Sequence, residues 1–346
     1  MTEGERLDSL GMFAAAAGLP EQLATAAAGA AGIDGLPAHD DIENVVVLGL
    51  GGSGIAGDVV TVVAGPFMPV PVVVHKGYGI PNFIGDRTLV FAISFSGNTE
   101  ETLEAATEAA MAGGKLVCIS NGGELEVLAG EWSAPHVRIA DGIPMPRAGI
   151  GAVSAAPLVV LEQVGLFPGA SSWIEAAVTQ LTRRRDQLVV AGNPAELLAR
   201  RIGRTMPIIY GGGGVGQVAA LRWKAQFNEN AKVPASWNVI PELCHNEVCG
   251  FGQNGDITRQ VMHLVNLRHE FEHPQVARRF DLVTEAVSEA VADVDTVWAE
   301  GDGPLAQLLD LVLFGDFVTL HRAAQEGLDP GPVPILDDIK AALAVE

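Results

Sequence analysis

At 346 residues the chain exceeds what one core usually organises, and 48% hydrophobic with 18% charged residues excludes the polar composition of a disordered protein. The formal charge of −21 excludes the basic surface that non-specific binding to nucleic acid or an anionic membrane requires. It leaves room for a small phosphorylated ligand, because helix N-termini and loop amides create a local positive field whatever the global charge.

The first nine residues are acidic and carry no signal-like apolar run, and no uninterrupted stretch of roughly 18 apolar residues follows. A soluble cytoplasmic protein is expected, with no membrane partner. Residues 4–31, rich in alanine and leucine and free of proline until Pro20, predict one or two helices packed on the unit that follows. From Val45 onward short apolar runs alternate with helical stretches. Strands are predicted over 45–48, 70–74, 88–93 and 115–119, and helices over 54–63, 99–113 and 124–130. Strands apolar on both faces and separated by helices predict a doubly wound parallel α/β sheet. Ligands of such sheets bind beyond the C-terminal strand ends, where strand order switches.

The segment DGIPMPR at 141–147 breaks this regularity and is followed by helical stretches over 150–164 and 172–190. A second α/β pattern then opens with MPIIY at 206–210 and the run Gly211-Gly212-Gly213-Gly214-Val215-Gly216. Strands over 236–240, 261–267 and 294–298 and helices over 273–290 and 305–325 complete it. Strand, glycine turn and helix recur, so two related units are expected, residues 1–165 and 166–346.

In VVVLGLGGSGIAGD, residues 45–58, Gly49, Gly51 and Gly54 fit the dinucleotide pattern G-x-G-x-x-G. That fold also wants an acid at the end of its second strand, on the order of 20 residues on, to bind the ribose. The second strand here ends Val74-His75-Lys76, which suits at most a 2′-phosphate and leaves an NADP-linked oxidoreductase as a minor alternative. The next strand end reads ISFSGNTEET, residues 93–102. Ser94, Ser96 and Thr99 flank a glycine at a strand-to-helix turn, so hydroxyls and free helix amides can converge on one phosphate with Gly52 and Ser53 of the neighbouring turn. The competing structural reading makes Thr99 an N-cap and the serines turn formers.

GLGGSG and SFSGNTEET together resemble the sugar isomerase (SIS) domain. The block LRWKAQFNENAKVPASWNVIPELCHNEVCGF, residues 221–251, extends the resemblance to the bifunctional phosphoglucose/phosphomannose isomerase family. It implies two flavodoxin-like SIS domains with helical N- and C-terminal extensions, a sugar 6-phosphate substrate and a homodimer. It also implies an aldose–ketose isomerase that interconverts glucose 6-phosphate, mannose 6-phosphate or both with fructose 6-phosphate, using no metal or cofactor.

Such an enzyme opens a hemiacetal ring, moves a proton between C2 and C1 and stabilises an enediolate. Proton shuttling between adjacent carbons suits one partly buried carboxylate. Glu229, in the helix after the second glycine turn, is the candidate, and the resemblance implies the same role for the N-E-N glutamate. The competing reading pairs Glu229 with Lys232 at i+3. Ring opening suits a histidine titrating near neutrality. His245 follows Glu229 by 16 residues, and the resemblance implies that it reaches the other subunit's active site. The resemblance further implies that Arg147, in PMPRAG, is the cation beside the enediolate and that Lys340, in ILDDIKAAL, helps at the ring oxygen. Gly331 departs from the hydroxyl residue that many relatives carry there.

The three cysteines, Cys118, Cys244 and Cys249, provide no disulfide framework, and Cys244-His245 with Cys249 lacks the second close pair that a zinc site wants. His263, His269 and His273 are expected to be structural or superficial. Two further alternatives stay within the sugar phosphate class: an isomerase of another substrate, and a non-catalytic sensor. A sensor needs the hydroxyl turn but has no use for Glu229 with His245.

Overall fold

The computed structural model describes residues 7–343, so the start of the predicted 4–31 helical stretch lies outside the described residues. The rest forms two helices, α1 (Met12–Ala17) and α2 (Leu19–Ala30), separated by Gly18. Pro20 sits in the first turn of α2, where a missing N–H costs no helical bond, so it begins a helix instead of ending one.

The first sheet consists of β1 (Asn44–Leu48), β2 (Val72–His75), β3 (Thr88–Ile93), β4 (Lys115–Ser120) and β5 (His136–Arg138). All pairs are parallel and the order is β2-β1-β3-β4-β5. Every residue of β3 is buried, as expected of a strand covered on both faces. Helices α3 (Gly51–Val63), α4 (Glu100–Met111) and α5 (Gly123–Glu131) make the crossovers. Strand β2 starts two residues later than the apolar run, because Pro71 has no N–H for the ladder.

The helices α6 (Ile150–Val164), α7 (Ala170–Leu188) and α8 (Pro194–Ile202) lead to the second unit. Its sheet contains β6 (Met206–Gly212), β7 (Ser236–Ile240), β8 (Met262–Arg268) and β9 (Asp293–Trp298), parallel throughout in the order β7-β6-β8-β9. The associated helices are α9 (Val215–Glu229), α10 (Gly255–Val261) and α11 (Pro274–Val287). The chain closes with α12 (Pro304–Gln325) and α13 (Pro334–Leu343).

One apolar core runs through both units, from Leu23, Val45 and Phe91 of the first to Trp223, Phe227 and Leu308 of the second. Helix α12 is its axis. By length and composition α12 could cross a membrane, yet here it is almost wholly buried against α7, α8 and α9. Its charges are internal: Asp310 takes a bidentate pair of bonds from Arg184, each 2.7 Å.

Candidate functional site

In the order β2-β1-β3 the crossovers leave β1 in opposite directions, so the switch point lies between the C-terminal ends of β1 and β3. There the turn leaving Leu48 lies directly against the turn leaving Ile93. A Cβ on Gly49 would stand 2.9 Å from the Ile93 carbonyl, and Ser53 Oγ accepts a bond from the Phe95 amide at 3.1 Å. Helix α3 begins at Gly51, so Gly52 and Ser53 are in its first turn and not ahead of it.

The hydroxyl turn is held open from below. Ser94 is fully buried, with its Oγ 2.9 Å from Thr99 Oγ1 and accepting from the Thr99 amide at 3.4 Å. Thr99 makes no side-chain bond to cap α4, so the capping alternative fails for its hydroxyl. Ser96 is exposed and its Oγ accepts from the Asn98 amide at 3.2 Å. Ser53 and Ser94 therefore brace the two turns. Ser96, Thr99, the Gly52 backbone and the first amides of α3 and α4 form the accessible wall, two helix N-termini facing one crevice.

The basic residues ending β2 are engaged within the protein. Lys76 Nζ pairs with Asp58 Oδ2 at 2.5 Å, and His75 Nε2 donates to the Tyr78 carbonyl at 3.1 Å. These contacts favour a structural role for both over a 2′-phosphate site.

A third segment closes over the crevice. The Gly52 Cβ position lies 3.1 Å from the Pro146 carbonyl, and that of Gly149 lies 2.7 Å from the Phe95 ring, so the turn bearing Arg147 rests on both others. Arg147 is only 3% exposed, yet its guanidinium is well partnered. Its Nε donates to Asn230 Oδ1 at 2.9 Å, and its NH2 group donates to the Pro330 and Gly331 carbonyls at 2.7 and 2.6 Å. NH1 is left facing Glu229, with Oε2 at 3.4 Å. Burial pulls the Arg147 pKa below its ordinary value, and the Glu229 carboxylate opposes that shift.

Glu229 ends α9 with its carboxylate about one third exposed. The i+3 pairing with Lys232 is not made. Lys232 instead adopts a left-handed backbone, φ 56°, which turns its ammonium back onto the Glu229 carbonyl at 2.6 Å and the Pro330 carbonyl at 3.0 Å. Burial, and then Arg147, lower its pKa.

Among the described residues neither His245 nor Lys340 makes a hydrogen bond or ion pair with the Glu229–Arg147 pair. Helix α9 runs back from the C-terminal end of β6 to the start of β7, and its 15 residues span about 22 Å at 1.5 Å per residue. Glu229 lies at the near end of that span and His245 beyond the far end of β7, exposed on the 242–245 turn. The turn is anchored by Glu247, which accepts from Tyr210 Oη at 2.7 Å and from Asn238 Nδ2. Lys340 lies on α13, whose residues are all exposed. Among the described residues no group of three or more His, Cys, Asp and Glu side chains is arranged to hold a metal.

The second glycine turn repeats the backbone of the first without its chemistry. A Cβ on Gly211 would collide with the Gly216 carbonyl at 1.9 Å, as one on Gly54 would with that of Gly49 at 2.7 Å. Leu48 pairs with Ala92 and Tyr210 with Asn266, so Arg268 and Glu270 stand where the first unit has Ser94 and Ser96. Arg268 is paired with Glu272 at 2.8 Å and packed on the Phe280 and Trp298 rings, while His269 Nε2 donates to the Gly212 carbonyl at 3.1 Å. Arg222, Asn230, Asp316, Thr319 and the two carbonyls at Pro330 and Gly331 are site-supporting groups that spacing did not single out. Two of them had a signal: Asn230 in the N-E-N block, and Gly331 as a departure from the family pattern.

Residues 41–127 match the SIS domain, and residues 191–343 match the bacterial phospho-glucose isomerase C-terminal SIS domain. A bifunctional phosphoglucose/phosphomannose isomerase of Caldicellulosiruptor bescii is 34% identical over 96% of this chain and 99% of its own length. One of Thermoplasma acidophilum is 31% identical over 87% and 90%. Among solved structures, the C-terminal domain of glucosamine-fructose-6-phosphate aminotransferase from Francisella tularensis superposes with a TM-score of 0.71. It is 15% identical and covers 92% of this chain and 96% of its own, a likeness of fold alone. With two SIS units, the Glu229–Arg147 pair at the switch point and relatives matching nearly end to end, the chain belongs to the bifunctional phosphoglucose/phosphomannose isomerase family.

Proposed function

We propose that the protein is an aldose–ketose isomerase that interconverts glucose 6-phosphate and mannose 6-phosphate with fructose 6-phosphate. The observation that carries this reading is the placement of a partly exposed carboxylate, Glu229, 3.4 Å from a buried guanidinium, Arg147, beside a wall of hydroxyls and helix N-termini. The phosphate binds at Gly52, Ser96 and Thr99, with Ser53 and Ser94 setting the two turns. Glu229 takes the C2 proton from the open-chain aldose and returns it to C1, alternating as base and acid, while the O2 hydroxyl proton passes to O1. The outward NH1 edge of Arg147 meets the oxygens on which enediolate charge grows, so its attraction strengthens along the reaction and lowers the barrier.

Ring opening is assigned to His245 of the second subunit of a homodimer. Its exposure and its separation from Glu229 within one chain support that arrangement. Lys340 completes the set at the ring oxygen when α13 lies over the site. The compartment assigned is the cytoplasm.

The test is Glu229→Gln. The variant is expected to lose about 10²–10⁴-fold or more in kcat while KM for each sugar phosphate changes little. Near-normal isomerisation by it would remove Glu229 as the base. Wild-type protein that binds sugar phosphates without turning either epimer over would favour the sensor.

A further inference from the structure

Arg147 is held at two levels, and both lead to a single turn of α12. Its side chain is the start of a chain of hydrogen bonds with one polarity. Arg147 Nε donates to Asn230 Oδ1, Asn230 Nδ2 donates to Thr319 Oγ1 at 3.0 Å, and Thr319 Oγ1 donates to the Asp316 carbonyl at 2.9 Å. Its backbone carbonyl accepts from Arg222 NH2, which also reaches Asp316 Oδ2 at 3.1 Å, and Gln226 Nε2 donates to Asp316 Oδ1 at 2.8 Å. Arg147, Arg222, Asn230, Asp316 and Thr319 are all buried. Asp316 and Thr319 lie three residues apart and so share one face of the helix.

The polarity matters. An amide side chain can present oxygen or nitrogen to a neighbour, and a wrongly turned Asn230 would set an N–H against the Arg147 N–H. Because the Thr319 proton is committed to the Asp316 carbonyl, its hydroxyl can only accept from Asn230, which fixes the amide with oxygen toward Arg147. Together with the Pro330 and Gly331 carbonyls this engages Nε–H and both NH2 protons, leaving NH1 as the edge that faces the crevice.

We propose that Thr319 is a positioning residue for the site, one that acts through Asn230 to hold Arg147 with its NH1 edge toward the reacting oxygens. The proposal deepens the isomerase reading and rests on it for its effect on rate. Thr319→Val removes the hydroxyl and keeps the shape, whereas Thr319→Ser keeps the hydroxyl.

With glucose 6-phosphate and with fructose 6-phosphate, Thr319→Val is expected to lower kcat by about tenfold to a hundredfold. KM should stay within about twofold and Thr319→Ser should restore the rate. Solvent exchange of the Arg147 Nε–H, assigned by the loss of its NMR signal in Arg147→Lys, should be faster in the Val variant and unchanged in the Ser variant. Unchanged kcat or unchanged exchange in Thr319→Val overturns the proposal, as does an equal loss in both variants. If the wild type isomerises neither sugar phosphate, the functional reading falls and the exchange measurement alone decides whether the brace exists.

Discussion

At position 147 a guanidinium does what an ammonium cannot. Three protons go to Asn230, Pro330 and Gly331 in fixed directions, and a fourth faces Glu229, which only a planar fork can arrange at once. Arg147→Lys therefore keeps the charge and loses the geometry. We expect kcat to fall by roughly 10²–10³, equivalent to about 2.7–4 kcal/mol of barrier, with a much smaller rise in KM. Steady-state assays with both aldose phosphates check this, and a change confined to KM would mean that Arg147 serves binding alone. Glu229 is singled out by its motif and Arg147 by the family resemblance, whereas local spacing alone pairs Glu229 with Lys232. The i+3 spacing to Lys232 assumes a continuing helix, and α9 stops at 229; the chain then turns left-handed at Lys232 and carries the ammonium to a carbonyl. Arg147 lies 82 residues from Glu229 in sequence, a separation across which no local spacing rule operates.

At the scale of elements, alternating apolar runs and helical stretches were sufficient to specify the two parallel sheets, because each buried strand carries its own signal. What escaped were β5 with three residues, α10 with seven, and α8, which is as long as α5 and clearly amphipathic. The repeated glycine turn was legible as a turn, but its chemistry was set by strand register, which alone identifies Arg268 and Glu270 as the counterparts of Ser94 and Ser96. In the first unit the turn admits only glycine at position 97, where φ is +72° and a Cβ would come within 1.8 Å of the Gly122 carbonyl. Gly97→Ala should destabilise the protein by about 1–3 kcal/mol through the left-handed backbone alone, with the carbonyl collision in addition. By displacing Ser96 and Thr99 it should also raise KM roughly tenfold, the worth of one charge-assisted bond to phosphate. Thermal unfolding together with KM measures both, and a lower melting temperature with unchanged KM would detach the turn from phosphate binding.

The whole molecule sets the last constraint. Glu229 and His245 occupy opposite ends of the second sheet, separated by about the length of α9. A two-fold dimer solves this when each subunit lends its exposed 242–245 turn to the crevice of the other, since an isologous pairing makes two identical composite sites. The arrangement makes a prediction that a histidine acting within its own chain does not share. Take Glu229→Gln and His245→Ala, each inactive alone, and let their subunits exchange. In the mixed dimer one crevice receives both substitutions and the other receives neither, so equal mixing should recover about a quarter of the wild-type rate, because half of the dimers are mixed and each has one intact site. If both residues act within one chain, every crevice in every dimer carries one defect and mixing recovers nothing. Isomerase activity before and after subunit exchange, with mixed dimers quantified by differently tagged subunits, decides between the two arrangements.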